Sequence, residues 1–153
     1  MAFQKEFPNF PADAFPAPPD TFRDASWHND GQPSMVSEAL LMHIQCDHPD
    51  VELRESDDRS RFRILLLDLE GCVTDEVILE TDEWAEVLAV VEDRLADVSP
   101  LEQLSNEWRI FTASRYPDME IHELVESEEW KDASQHDRQF VADFLERLEA
   151  VES

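Results

Sequence analysis

Glycine, lysine and cysteine are scarce in this chain of 153 residues, which contains two of each. The phosphate-binding loops, the dinucleotide fingerprint and the serine-hydrolase elbow all require glycine at fixed spacings. The sequence has no such motif, which excludes the common kinds of nucleotide-dependent chemistry. We therefore expect no cofactor and no catalytic residue, and we predict that the protein is not an enzyme.

Cysteine pairs and long apolar runs are also missing. Cys46 and Cys72 do not form a CxxC motif, and the first residues lack the basic flank and apolar run of a secretory signal. No apolar run approaches the roughly 20 residues that cross a bilayer. The expectation is a cytoplasmic protein, in a reducing setting, that does not associate with membranes.

Negative charge dominates what is present. Asp and Glu number 37 against 12 Lys and Arg, which gives a formal net charge of -25. This charge disfavours direct binding to nucleic acid or to anionic membranes. A hydrophobic content of 42%, with nine Phe and four Trp, is nevertheless too high for a disordered acidic chain. We predict a single acidic domain over residues 23–153.

Residues 1–22 form a separate arm by composition, because five of the nine Phe and five of the nine Pro lie there. Proline fixes φ and removes a hydrogen-bond donor, so the arm is predicted to be extended. Two interpretations stay open. The arm is either a strap over the core of its own domain or a docking segment for a partner.

Three segments have the patterns of strands. Residues 39–46 alternate apolar and polar positions, and residues 62–69 are apolar on both faces, as in a central strand. Residues 73–79 follow Gly71 closely enough to form an antiparallel hairpin with the second strand. These segments predict a small antiparallel sheet of about three to four strands.

Segments whose apolar residues have helical spacing follow the strands. A helix is predicted from Thr81 or Asp82, a second from Pro100 with Ser99 as its cap, and a last one after Ser134. Residues 109–112 could instead form a short strand, and residues 119–125 are predicted to be an edge strand. Two to three helices packed on an antiparallel sheet define an α+β fold.

Two clusters in the sequence contain histidine and are candidate sites. Imidazole, thiol and carboxylate groups fall together between His43 and His48, but on a strand His43 would point away from Cys46 and His48. We therefore predict no metal site. The cluster around His28 precedes a glycine and a proline, and a role in a turn is favoured there.

Acidic residues recur at helical spacing in two predicted helices. At 100° per residue, four carboxylates of the first helix fall within about 60° of one another, opposite Trp84. Lysines at i+4, which would stabilise such a face, are missing. The last helix repeats the pattern. The predicted partner-binding residues are Asp82, Glu86, Asp93, Asp97, Asp143, Glu146 and Glu149.

These rows lead to a functional hypothesis. Spacings of four and seven helical residues are roughly 6 and 10 Å, comparable to phosphate separations along a nucleic acid. We predict an inhibitor that binds a basic protein, such as a defence nuclease, as a nucleic-acid mimic made by a phage or mobile element. The alternatives are a highly acidic solvated protein, adapted to salt, whose function lies elsewhere, and an enzyme with an unrecognised site near His28 or His43.

Moderate salt should stabilise the fold. Between about 0.01 and 0.1 M the Debye length falls from roughly 30 to 10 Å, which weakens repulsion between neighbouring acidic elements. The thermal midpoint, followed by circular dichroism, should therefore rise over this range. A flat or falling midpoint would mean that attraction between the 12 basic residues and neighbouring acids outweighs the repulsion among the acids.

Overall fold

Alternating apolar residues build one antiparallel sheet in the computed structural model, which describes residues 2–28, 30–54, 59–113, 116 and 119–152. Each strand pairs with the next one in the chain. The strands are β1 (Arg23–Asp24), β2 (Ser34–Ser37), β3 (Met42–Cys46), β4 (Phe62–Leu67) and β5 (Val73–Thr81). The sheet has five strands, one more than the upper end of the prediction.

Helices occupy most of the second half. They are α1 (Ala2–Glu6), α2 (Trp84–Asp97), α3 (Pro100–Ala113), α4 (Ile121–Glu126), α5 (Glu128–Lys131) and α6 (Gln135–Glu152). Two 3-10 turns lie at Ala12–Ala14 and Val51–Leu53. The α+β class is confirmed. No helix in the described ranges is long and apolar enough to cross a membrane.

Strand boundaries differ from the sequence pattern where the backbone turns. The strand expected from residue 39 begins only at Met42, because Leu41 has a φ of 57° in the turn before it. The strand expected to reach residue 69 ends at Leu67. Sequence reasoning missed β1 and β2, because two and four residues are too short to show a repeating pattern.

A tight turn joins β4 to β5 and contains Gly71, one of the two glycines of the chain. The Asp68 carboxylate accepts hydrogen bonds from the backbone N–H groups of Glu70 and Cys72, both at 2.9 Å. Gly71 has a φ of 87°, and a Cβ there would lie 2.8 Å from Ile110 Cγ2. Both the backbone conformation and the contact with α3 therefore require glycine. The predicted antiparallel pairing of this hairpin is confirmed.

The sheet is apolar on the face that α2 covers. Met35, Ile44 and Ile64 stand side by side on β2, β3 and β4, and all three are fully buried. Val87 and Val91 of α2 pack against this face. Successive residues of a strand alternate faces, so His43, Gln45 and Arg63 lie on the opposite side.

The N-terminal segment packs on the same core. Phe3, Phe7 and Phe15 are buried there, and the rings of Phe3 and Phe15 stack with centroids 4.9 Å apart. The backbone N–H of Phe3 donates to Asp24 in β1 at 2.8 Å. The segment is not extended throughout, since it includes α1 and the first 3-10 turn. Its aromatic side chains fill the core of the chain itself.

A second, smaller core joins α3, α4 and α6. Leu124 and Val141 are buried in it, and Phe111 stacks on Phe140 with centroids 4.1 Å apart. Residues 109–112 lie within α3. The predicted edge strand at residues 119–125 is wrong: most of it is α4, whose buried Leu124 packs on neighbouring helices.

The two predicted serine caps are present. Ser99 Oγ accepts the backbone N–H of Glu102 at the start of α3, and Ser134 Oγ accepts that of Asp137 at the start of α6, both at 3.1 Å. Each bond satisfies one of the backbone donors left unpaired in a first helical turn. The starts of these helices were therefore readable from the sequence.

Truncation of Phe3 should strongly destabilise the protein. Phe3→Ala removes a fully buried ring and should lower the free energy of unfolding by about 3 to 5 kcal/mol. Urea unfolding measures the change. The control is Trp27→Ala, a larger truncation at a side chain that is half exposed, which should cost less than about 1 kcal/mol. Equal effects would contradict a core role for the N-terminal segment.

Candidate protein-binding surface

The predicted acidic row on the first long helix divides into two parts, and Asp82 belongs to the structural part. Because α2 begins at Trp84, Asp82 lies outside the helix. Its carboxylate accepts the backbone N–H of Arg61 at 2.8 Å and Nη1 of Arg54 at 3.1 Å. The Arg61 hydrogen bond, followed by the two arginine charges, lowers the pKa of Asp82. Asp82 thus ties the end of β5 to the loop before β4.

Glu86 also has a local partner. Its carboxylate accepts the hydroxyl of Thr81, and the same hydroxyl accepts the backbone N–H of Glu83. These two hydrogen bonds pair a backbone N–H group at the start of α2, where no residue caps the helix directly with its side chain. Glu86 is exposed, but its charge is engaged at the start of the helix.

Asp93 and Asp97 form the second part of the row. Both are exposed, and no basic side chain in the described residues lies within ion-pairing distance of either. Arg94, the only base of α2, donates through Nε to the backbone oxygen of Leu40 at 3.3 Å. The sole positive charge of the helix is therefore directed at the sheet and away from these two carboxylates.

Strand β5 adds acidic residues that the sequence-based prediction of the site did not include. Within the described ranges it pairs only with β4 and forms an edge of the sheet, and Asp75 and Glu76 are exposed on it. The apolar side chains of Val73, Val77 and Ile78 are exposed by 40 to 46%. A signal was present in the sequence, since residues 68–97 hold eleven acids and one base.

Strand β5 and helix α2 are neighbours in the fold. Helix α2 follows β5 after two residues and packs on β4 and β5. The Arg94 bond places its last turns near Leu40, at the end of the sheet where β5 starts. The helix therefore runs back along the strand. We define the β5–α2 surface by four exposed acids of these two elements, Asp75, Glu76, Asp93 and Asp97, which make no ion pair within the described part of the chain.

The acidic row on α6 belongs to a different part of the fold. Asp143, Glu146 and Glu149 are exposed as predicted, but α6 packs on α3, whereas α2 packs on the sheet. Arg147 lies within the row and donates to Glu107 of α3 at 3.0 Å. The two predicted rows therefore lie on separate parts of the fold.

No protein-family model, curated protein or solved structure matches this chain. Its function is therefore inferred from its own residues.

His43 points away from Cys46, as the strand pattern predicted, whereas His48 lies beyond the end of β3. Cys46 is fully buried in the core, and burial raises the pKa of its thiol to about 12. His43 lies on the other face of β3. The ring of His48 packs on Phe10, with centroids 5.2 Å apart. These three groups do not converge on one point.

Among the described residues, two groups of side chains bring ligand atoms within 4.8 Å of one another, and all of their members are exposed. The first is Asp68, Glu70 and Cys72, and the second is Glu120, His122 and Glu123. In the first group Asp68 already accepts two backbone hydrogen bonds in the β4–β5 turn. Its position is explained by the turn.

His28 fixes the N-terminal segment to the loop after β1. Its backbone N–H and its ring Nδ1 both contact the Glu6 carboxylate, at 3.1 and 2.7 Å. The Trp27 ring contacts the His28 ring in a tilted arrangement, with centroids 4.3 Å apart. Asn29, the next residue of this predicted cluster, lies outside the described residues. These contacts hold the loop after β1 against the N-terminal segment, so the role of His28 is structural.

Protonation of His43 should destabilise the fold. Desolvation lowers its pKa below 6.5, and the nearby Asp30 charge only partly offsets this. The unfolded chain therefore binds a proton more readily than the folded one, and His43 contributes stability above pH 6.5 that is lost as pH falls through its folded pKa. Urea unfolding at a series of pH values should show a smaller loss for His43→Gln than for wild type.

The control for this series is His122→Gln, at an exposed histidine of α4. It should keep the pH dependence of the wild-type protein, because the His122 side chain is exposed and the substitution removes no buried group. The burial argument would fail if the two variants had the same pH dependence.

Proposed function

We propose that this protein is an inhibitor that binds a basic protein through its β5–α2 surface. The observation that supports the proposal is the concentration of unpaired charge of one sign on an edge strand and the helix beside it. Opposite charges across an interface accelerate association and fix its orientation. A surface of this kind suits a groove lined by Lys and Arg.

The proposed partner is a nucleic-acid-binding protein, and the proposed mode is mimicry of nucleic acid. Asp93 and Asp97 are one helical turn apart, about 6 Å, on the order of the separation of successive phosphates in a strand. A defence nuclease inhibited by a phage or mobile element has the required basic groove. The protein itself does not bind nucleic acid in this scheme, because its net charge repels phosphates.

The edge position of β5 adds a second means of recognition. An edge strand presents unpaired backbone N–H and C=O groups, and the exposed Val73, Val77 and Ile78 supply apolar contact beside the acids. The acids also oppose pairing with a second copy of the chain, since like charges would face each other. The surface is therefore selective for a basic partner.

General solvation is the competing explanation for the acidity, because α4, α5 and α6 also expose acidic residues. Two charge-reversal variants with the same net charge distinguish general solvation from the proposed interface. The test variant replaces Asp75, Glu76, Asp93 and Asp97 with Lys. The control replaces Glu123, Glu126, Glu129 and Asp132 with Lys, which changes the net charge equally on the α4–α5 side.

The two variants are compared with wild type for capture of basic proteins from a bacterial lysate, and the captured protein is then purified for rate measurements. The test variant should lower the association rate by at least about tenfold, while the control should change it far less. Duplex DNA should compete with wild type for the partner. Equal losses in the two variants would favour general solvation.

Asp82 and Glu86 are left unchanged in these variants, because their hydrogen bonds hold the loop before β4 and the first turn of α2. A third variant with Lys at positions 143, 146 and 149 tests the predicted α6 row separately. Circular dichroism of each variant confirms that loss of binding is not loss of fold.

A further inference from the structure

An apolar groove of about 250 Å³ lies between α3 and α6, beside the start of α4. We call it the α3–α6 groove. Its lining includes the buried side chains of Leu104 and Phe144 and the half-buried Trp108. Leu101 and Leu148 line it as well and are more exposed than the buried pair.

The antiparallel packing of α3 and α6 produces this groove. The rings of Trp108 and Phe144 have centroids 5.0 Å apart, and Phe111 stacks on Phe140. The contacts advance along α3 as they go back along α6, so the start of α3 lies beside the C-terminal half of α6. Leu101 in this region is 54% exposed. Apolar side chains exposed next to a groove are typical of an interaction site.

The aromatic side chain at the centre of the groove is held in place by the fold. Trp108 Nε1 donates to the backbone oxygen of Met119 at 3.0 Å, just before α4. Its ring also contacts Phe144, which is buried in the contact between α3 and α6. A partner therefore meets a surface that is already ordered, which lowers the entropy cost of binding.

The size of the groove favours a protein side chain over a whole metabolite. Pockets for small molecules usually have volumes of about 300 Å³ or more and enclose most of their ligand. This groove is smaller and open to solvent. Protein interfaces, in contrast, commonly place one bulky anchor side chain in such a pocket.

Unpaired acids at one end of the groove specify the charge of the partner. Glu120 lines the groove, and oxygen atoms of Glu120 and Glu123 and a ring nitrogen of His122 lie within 4.8 Å of one another. In the described residues neither carboxylate pairs with Lys or Arg. Two carboxylates this close repel each other, so a cation from a partner would be attracted to them.

A second copy of the chain does not complement this site. Each copy has a formal net charge of -25, so two copies repel each other. A basic amphipathic helix supplies both of the missing groups, because it presents large apolar side chains on one face and Lys or Arg beside them.

We propose that the α3–α6 groove binds a basic amphipathic helix of a partner protein. A large apolar side chain of that helix packs on Leu104 and Trp108, and a Lys or Arg beside it pairs with Glu120 and Glu123. The groove is formed by elements other than β5 and α2. The inference therefore does not depend on the proposed inhibitor function.

The probe is a synthetic amphipathic helical peptide with Leu and Phe on one face and Lys and Arg on the other. It is titrated into the whole chain, labelled at Ile and Leu methyl groups, at constant ionic strength. The expected result by NMR is saturable shifts that are largest at Leu101, Leu104, Ile121 and Leu148. A control peptide of equal charge, with Ala in place of Leu and Phe, should bind at least about tenfold more weakly because it lacks the apolar contact.

Ser105→Trp tests the groove directly. Ser105 is exposed and lines the groove, so a bulky side chain there fills the space that the partner needs. The variant should weaken peptide binding by at least about tenfold, whereas the control Ser105→Ala should leave the affinity unchanged. If Ser105→Trp does not fold, Leu101→Gln is the second variant, and Leu53→Gln, at an exposed leucine outside the groove, is its control.

Glu120→Gln tests the charge contact. It should weaken binding about two- to fivefold, the range expected for an exposed ion pair. Glu126→Gln changes the net charge equally at an exposed residue of α4 that does not line the groove, and it should have a smaller effect.

Four outcomes would overturn the proposal. They are shifts spread over the acidic surface, peptide binding that Ser105→Trp and Leu101→Gln leave intact, equal binding of the two peptides, and a dimer of the free protein that Ser105→Trp converts to a monomer. The last outcome would assign the groove to a second copy of the chain.

Discussion

The pairing of β3 with β4 is the interaction on which the rest of this structure depends. Ile44 opposite Ile64 turns one face of the sheet into the main core, and Gln45 opposite Arg63 makes the other face polar. A slip of one residue would exchange the two faces and bury charge against α2. The register therefore determines which residues form the core, where α2 packs and which face of the sheet is polar.

Several of the scarce basic residues donate to backbone oxygens, which leaves fewer of them to pair with acids at the surface. Arg54 is 5% exposed in its side chain and donates to the backbone oxygens of His48, Pro49 and Arg59 as well as to Asp82. Arg94 and Arg138 also donate to backbone oxygens. Arginine suits this role because its guanidinium has five donors in a fixed geometry. Carboxylates at the surface consequently keep an excess of charge that a basic partner could neutralise.

Two hydrophobic cores stabilise the fold. The first joins the sheet, α2 and the N-terminal segment, and the second joins α3, α4 and α6. Asn106 of α3 links them, because its side chain donates to the backbone oxygen of Ala39 at 2.9 Å. Contact of Ile110 with Gly71 is a second link. The acidic rows on α2 and α6 lie in different parts of the fold because α2 packs on the first core and α6 on the second.

The sequence by itself determined the elements with a strong local signal. The hairpin around Gly71, the serine caps of α3 and α6, the α+β class and the opposed directions of His43 and Cys46 all follow from periodicity or from bonds within a few residues. Only the tertiary structure decided which charges are free. Asp82 and Asp93 look alike in the sequence, but Arg54 and Arg61, more than twenty residues from Asp82, bind only the first. The short strands β1 and β2, the helix α4 in place of a strand and the α3–α6 groove likewise depend on contacts between distant segments, and local pattern carries no information about such contacts.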